Sequence, residues 1–333
     1  MLTSDFDYHL PPELIAQTPA EPRDSSRLLV MDRQTGALQH KRFFDLGEFL
    51  NAGDLLVLNE TKVYKARLIT ADGIEIFLLR PEGDHWLVIA KPGRKLKPGT
   101  MLRFEDGQTA MVKIKHDDGT IIVDFKKSTY EIFAWTDRIG KVPIPPYIDS
   151  GRRTQDVGRL ATDYQTVYAK HSGSVAAPTA GFHFTTELIE KLKKQGVNFA
   201  AVTLHVGLGT FRPIKSDKIE DHIMHEEWID VPETTRSAIH DTRAHGGRVI
   251  AVGTTTVRAL ESEINRGFTN IFIKPGYQFK SIDGLITNFH LPKSTLLILV
   301  SAFAGRDLIL KAYAEAIEKN YRFYSFGNAM LII

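Results

Sequence analysis

The spacing of apolar residues changes twice along this 333-residue chain, and the two changes bound what it can fold into. Up to about residue 65, the runs "SRLLVMD" and "DLLVLNE" are short, apolar and bounded by polar residues, so they read as buried strands. "FFDLGEFL" between them reads as a short helix, and "LPPELIAQ", with proline at its start and helical apolar spacing, as another. From about residue 66, "GIEIFLLR", "HWLVIA", "TMLRF", "TAMVKIK" and "TIIVDF" follow one another, separated by the turn clusters "PEGD", "KPGRKLKPG", "EDGQ" and "HDDG". Short strands punctuated this way predict a small antiparallel barrel or sandwich. "GKVPIPPYIDSGRRT" then reads as an exit linker. After residue 160 helix and strand alternate again. "TTELIEKLKKQG", "PETTRSAIHDTRAHGG", "TTTVRALESEINRG", "STLLILVSAFAG" and "RDLILKAYAEAIEKN" are helical, while "VNFAAVTLHV" and "RVIAVG" are strands. The pattern predicts an α/β fold: a discontinuous α/β domain, residues 1–65 plus 152–333, with a layered or barrel-like mixed sheet and packed helices. A small antiparallel β-barrel domain is inserted at 66–151.

Several function classes fall away at once. The chain has no cysteine, which excludes disulfides and thiolate metal sites and fits a reducing compartment. Its N-terminus lacks the basic and apolar regions of a secretory signal, and "TLLILVSAFAG" is shorter than the roughly 20 residues that span a bilayer. The expectation is a cytoplasmic protein with no membrane association. Net charge is only +2 but uneven: residues 61–115 carry 11 Lys and Arg against 6 Asp and Glu. Such an excess is either a solvated face or a footprint for phosphates.

In the α/β part, four strand-like runs end in glycine, hydroxyl and basic residues: "APTAGFHFT", "HVGLGTFRP", "AVGTTTVRALE" and "TNFHLPKST". Ligands bind at the carboxyl ends of strands in open α/β sheets, and each junction offers exposed backbone or a helix start. Gly207 and Gly209 lack the third glycine of the dinucleotide fingerprint, and no phosphate loop with Gly-Lys-Ser/Thr is present, so a dinucleotide dehydrogenase is rejected.

Within these junctions, Thr254 reads as a helix cap, and Thr254 and Thr255 also as hydroxyls offered to a ribose or carboxylate. Arg258, one helical turn on, reads as a bidentate carboxylate clamp or a surface ion pair. "DHIMHEE" sets His222 and His225 three apart, on one face if helical. Without His-Glu-x-x-His or a thiolate, acid/base work or simple hydrogen bonding fits better than metal. His183, His205 and His290 each sit in a polar junction rather than on an apolar face. Near the N-terminus, Arg23, Asp24, Ser26 and Arg27, and then Asn59, Glu60, Thr61, Lys62 and Arg67, are turn polar residues, a wall of the same cleft, or phosphate contacts.

Taken in order, these pieces resemble one family, the S-adenosylmethionine:tRNA ribosyltransferase-isomerases of queuosine synthesis. The resemblance runs from "DFDYHLPPELIAQTPAEPRDSSRLLV" through "LVLNETKVYKARL", "YQTVYAKHSGSVAAPTAGFHFT", "VTLHVGLGTFRP", "HIMHEE", "VIAVGTTTVRALES" and "DGLITNFHLPKSTLLILVSAFAG" to "YRFYSFGNAMLI". Two departures stand out: Asn328 where the family pattern has aspartate, and Lys65 where it often has proline. The resemblance implies an enzyme that moves the ribosyl part of S-adenosylmethionine onto 7-aminomethyl-7-deazaguanine at the tRNA wobble position. It leaves epoxyqueuosine, adenine and methionine. It implies a pool of proton-transfer residues, His183, His205, His222, His225 and His290. Gly207, Gly209, Thr210, Thr254, Thr255 and Asn288 would meet S-adenosylmethionine, with Arg212 or Arg258 on its carboxylate. Lys91, Arg94, Lys95 and Lys97, with Arg23, Arg27, Lys62 and Arg67, would contact tRNA phosphates. S-adenosylmethionine is a co-substrate here, with no cofactor or metal expected, and a monomer is expected. The alternatives are a non-catalytic RNA-binding module and an S-adenosylmethionine-dependent tRNA methyltransferase. The second would release S-adenosylhomocysteine.

Overall fold

The structure, a computed structural model, describes residues 1–145, 147–148, 162–207 and 214–333. It divides into two compact units, one of Met1–Thr61, Pro146–His171 and Ala177–Ile333, the other of Lys62–Pro145 and Ser172–Ala176.

The first unit is built on a nine-stranded mixed sheet. Its strands are β1 (Arg27–Met31), β2 (Leu38–Arg42), β3 (Leu55–Asn59), β4 (Asn198–Leu204), β5 (Glu227–Asp230), β6 (Val249–Val252), β7 (Arg266–Thr269), β8 (Gly284–Asn288) and β9 (Ala329–Ile332). The order is β7-β5-β4-β3-β6-β8-β9-β1-β2. The central strands β4, β3, β6 and β8 are mutually parallel. β9 runs against β8, and β1 runs alongside β9.

Period-two alternation explains how both faces of this sheet are covered. Leu29, Met31, Ala251, Leu285, Met330 and Ile332 point to one core, whereas Leu28, Val30, Leu56, Ile250, Ile286 and Leu331 point to the other. Helix α1 (Thr186–Lys194) packs Leu188 and Leu192 into the second core. Its Thr185 cap accepts from Leu188 N at 3.1 Å, and Gly196 at φ +87° ends it, as the sequence implied. Helix α2 (Glu233–Ala244) lies on β3 and β4. Helices α3 (Thr254–Leu260), α4 (Thr295–Ala304) and α5 (Arg306–Glu318) supply Val257, Leu297, Ile298, Val300, Ile309 and Tyr313 to the first core. Each such fully buried aliphatic side chain contributes about 1.5–3 kcal/mol. Replacing Leu192 by alanine would cost about 2–5 kcal/mol.

The second unit is the curled antiparallel sheet the turn-rich sequence predicts. Its strands run in the order Arg67–Ile69, Glu75–Glu82, His85–Lys91, Ile121–Asp124, Thr109–Lys115, Met101–Arg103. A bridge between Thr70 and Phe104, with Ala71 N donating to Arg103 O at 2.8 Å, brings the first and last strands together. A helix, Thr129–Ile139, fills this unit with Ile132 and Trp135.

Four local expectations fail, each for a visible reason. "LPPELIAQ" forms only a 3₁₀ turn at Pro12–Leu14, because Phe323 N donates to Leu14 O at 2.8 Å and Ala16 N to Phe323 O at 3.1 Å, drawing the chain out straight. "DHIMHEE" is not helical. After a turn at Ile219–Asp221 the chain runs into strand β5, so His222 and His225 share no helix face. Thr254 is not the cap of α3; that place is taken by Gly253 at φ +93°, a conformation that disfavours side chains. The helix then stops at Leu260, where the buried Glu261 carboxylate accepts from Lys280 N at 3.0 Å and Ser281 N at 2.8 Å. No helix among the described residues is long and apolar enough to cross a membrane.

Candidate active site

Strand direction decides where the chemistry gathers. β4, β3, β6 and β8 end on one edge of the sheet, at Leu204, Asn59, Val252 and Asn288. β9 and β1 run the other way and begin on that edge, so Asn328 and Ser26 lie there too. A cavity opens at this edge, and all four junctions singled out in the sequence line it: Ala177–Ala180, Val206, Gly253–Thr255, and Thr287–Leu291 with Ser294.

Asn59 ties the middle of the edge together. Its Nδ2 donates to Leu204 O at 3.0 Å and Thr255 Oγ1 at 3.2 Å, while Oδ1 accepts from Leu204 N at 3.0 Å. Thr255 is thereby fixed on the cavity wall beside Thr254, whose hydroxyl makes no hydrogen bond among the described residues.

Asn288 lines the cavity with its amide fully engaged. Nδ2 donates to Tyr324 O and Ser325 O, and Oδ1 lies 3.1 Å from His183 Nε2. His183 sits behind it, 3% exposed, with Nδ1 2.7 Å from Ser26 Oγ. His290 lines the cavity directly. Thr287 Oγ1 lies 2.8 Å from His290 Nε2 and 3.3 Å from Asn288 O, so the hydroxyl tethers the ring at Nε2. His290 Nδ1 has no hydrogen-bond partner among the described residues. His205, next to the cavity-lining Val206, stacks on Trp228 at 5.1 Å with Nδ1 2.7 Å from Thr61 Oγ1, and its Nε2 has no hydrogen-bond partner among the described residues.

Burial pushes all three imidazoles below their ordinary value, His183 to about 4 and His290 to about 3. His205 is held at about 4 by burial, with His171 adding to it. At neutral pH each is uncharged. His222 packs edge-on to Phe272 and is lowered by burial and then by His225, which is exposed. Neither lines the cavity. Among the described residues no three His, Asp or Glu side chains come together as metal ligands.

Arg258 is neither a surface ion pair nor on the cavity wall. It is 3% exposed and its Nη1 pairs with Glu227, whose other oxygen accepts from Gly207 N at 2.9 Å. Gly209, Thr210 and Arg212 lie outside the described residues. The Arg23 guanidinium donates to Gln165 O at 2.6 Å and Asp163 O at 3.0 Å, and Arg27 to Lys319 O at 2.6 Å, so both hold backbone. In the other unit Arg67 pairs with Glu75 at 2.8 Å, while Lys62, Lys91, Arg94, Lys95 and Lys97 are exposed.

Three wall residues escaped the sequence reading: Tyr147, Tyr324 and Ser325. Tyr324 stacks on Tyr147 with centroids 4.5 Å apart, and Tyr147 and Ser325 share a hydrogen bond. Tyr324 has φ +71°, costly for an aromatic residue, and Gly327 nearby is so tightly packed that a Cβ would meet Arg322 O at 2.5 Å. The only sequence cue was that glycine, in "YSFGN".

Hydroxyls, an oriented amide and neutral imidazoles gathered at the strand ends of a mixed sheet define an α/β enzyme with a polar-ligand cavity. The family model of the queuosine biosynthesis protein matches residues 3–332, and the chain belongs to that family. It is 50% identical, over the whole of both chains, to the S-adenosylmethionine:tRNA ribosyltransferase-isomerase of Thermotoga maritima. It is 51% identical to the enzymes of that name from Heliobacterium modesticaldum, over 98% of each chain, and Moorella thermoacetica, over all of each. A crystal structure of S-adenosylmethionine tRNA ribosyltransferase from Thermotoga maritima superimposes with a TM-score of 0.57. It is 41% identical and covers 99% of this chain and 100% of that one.

Proposed function

We propose that this chain transfers and isomerises the ribosyl moiety of S-adenosylmethionine onto 7-aminomethyl-7-deazaguanine at the wobble position of tRNA, yielding epoxyqueuosine-tRNA, adenine and methionine. The observation that carries this reading is the convergence of all four junctions on one cavity, in a chain matched end to end by enzymes of that name.

The reaction sets the demands. The sulfonium acidifies the ribose C5′ hydrogens, so a base removes one of them. Adenine departs with a proton supplied by an acid. The amine of the modified base attacks the opened ribose, and an epoxide closes as methionine leaves. No step is a redox step, and none requires a metal. An uncharged imidazole suits the base, and among the described residues His290 Nδ1 and His205 Nε2 have no hydrogen-bond partner. Thr254 and Thr255 offer hydroxyls to the ribose. The exposed Lys91, Arg94, Lys95 and Lys97 contact tRNA phosphates.

The test is mass spectrometry of nucleosides from tRNA carrying 7-aminomethyl-7-deazaguanine after incubation with protein and S-adenosylmethionine. Epoxyqueuosine is the expected product. A methylated nucleoside would make the chain a methyltransferase, and unmodified tRNA held in a stable complex would make it a binding module.

A further inference from the structure

Asn288 sits on the cavity wall with both ends of its amide already engaged by the protein. Its Nδ2 donates to two carbonyls, Tyr324 O at 2.9 Å and Ser325 O at 3.3 Å, which settles which way the amide faces. Oδ1 is therefore the atom 3.1 Å from His183 Nε2, and an acceptor there requires a proton on Nε2. A neutral ring then has its lone pair at Nδ1, which accepts from Ser26 Oγ at 2.7 Å. From Ser26 through His183 to Asn288 every hydrogen bond has one permitted direction. All three residues are 3% exposed, so water does not compete for these bonds. Burial holds the imidazole near 4, in keeping with a ring that stays neutral.

The far end of this chain is the turn that needs holding. Tyr324 is in the left-handed region, at φ +71°, where an aromatic residue is strained. Its ring stacks on Tyr147, whose hydroxyl reaches Ser325 Oγ at 2.5 Å, and all three residues line the cavity. The two carbonyls that Asn288 grips belong to this turn.

The geometry points to His183 as a positioning residue: through Asn288 it holds the Tyr324–Ser325 turn so that the Tyr147–Tyr324 pair forms the wall of the S-adenosylmethionine cavity, and it transfers no proton. The inference rests on the assignment of that cavity to S-adenosylmethionine made above. It removes His183 from the acid/base pool and gives the aromatic wall a cause reaching back to Ser26.

Three substitutions separate the roles. His183→Gln places an amide N–H where Nε2 was and keeps the bond to Asn288. His183→Asn reaches only the Nδ1 position and keeps the bond to Ser26. His183→Ala keeps neither. Steady-state kinetics over a pH series, together with equilibrium binding of S-adenosylmethionine, distinguish them. The expected result is that His183→Gln recovers kcat and KM to within about threefold of wild type with the limbs of its pH profile in place. His183→Asn and His183→Ala raise KM and Kd for S-adenosylmethionine about tenfold, with a smaller change in kcat. Asn288→Asp, which still accepts from His183 but cannot donate to the two carbonyls, reproduces that rise even if an alanine variant fails to fold. A fall in kcat of about a hundredfold or more in His183→Gln, or loss of a limb of its pH profile, would make His183 a proton-transfer group and overturn the inference. Equal KM in the Gln, Asn and Ala variants would overturn it too. Wild-type protein that binds no S-adenosylmethionine would remove the cavity assignment itself, and that outcome is read separately from the variants.

Discussion

Arg258 and Glu227 form an ion pair with both side chains out of water, 4% and 3% exposed, and Glu227 also accepts from Gly207 N at the start of the glycine-rich loop. Arg258 Nε and Nη2 are buried without a hydrogen-bond partner among the described residues. The pair thus fixes the exit of β4 next to the cavity. Removing one partner strands the other charge in the core, which costs about 3–5 kcal/mol. Glu227→Ala is expected to lower the urea midpoint steeply, while Glu227→Met combined with Arg258→Met recovers most of the loss. A double variant no more stable than the single one would show that the pair does not act as a unit.

Asn59 satisfies both backbone groups of Leu204 and orients Thr255. Asn59→Ala leaves that buried N–H and C=O unpaired at a cost of about 1–3 kcal/mol each. It also frees Thr255 to rotate, so KM for S-adenosylmethionine should rise along with the loss of stability. Denaturant titration and kinetics on the same preparation check both. Lost stability with unchanged KM would separate Thr255 from the ligand.

His183 is buried and His205 and His290 are half-buried, and desolvation keeps all three neutral, near 4, 4 and 3, against an ordinary value of 6.5. Between those values the unfolded chain binds more protons than the folded one. Stability therefore is full above about pH 6.5 and falls as pH drops toward 4. Melting temperature measured from pH 8 to 5 should hold and then decline by several degrees below about pH 6.5. A flat profile would mean these rings protonate freely in the fold.

His205→Ala should reduce turnover by about a hundredfold or more while its circular dichroism spectrum and melt stay near wild type. Full turnover in a folded variant would take His205 out of the proton transfers and leave them to His290.

Charge reversal at Arg94 and Lys95, both exposed, should weaken tRNA binding and reduce the slope of log Kd against log salt by about 1–2. An unchanged slope would place the phosphate contacts elsewhere.

Much of the fold was legible because period and punctuation agree in most segments. The α1 threonine cap and glycine stop, the buried runs of β3 and β6, and the turn-separated strands of the second unit all formed where local chemistry directed them. The helix Thr129–Ile139 carried its signal, a capping box in which Ser128 Oγ accepts from Glu131 N and the Glu131 carboxylate accepts from Ser128 N. The run of β-strands around it obscured that signal. Elsewhere distant partners overrode local preference, as when Phe323 drew out "LPPELIAQ". The same limit applied at the site. The junctions could be read from glycines and hydroxyls, but Tyr324 gains its place from Asn288, 36 residues away in sequence, and from a backbone angle no composition records. Asn328 departs from the expected aspartate, yet its Oδ1 accepts from Arg322 N at 2.7 Å, as a carboxylate oxygen would.

The most direct measurement is chromatography of the small-molecule products. Protein, S-adenosylmethionine and tRNA carrying 7-aminomethyl-7-deazaguanine should release free adenine and methionine in equal amounts, only when that tRNA is present and in step with its modification. Release of S-adenosylhomocysteine, or no adenine from a mixture in which tRNA is bound, would contradict the account.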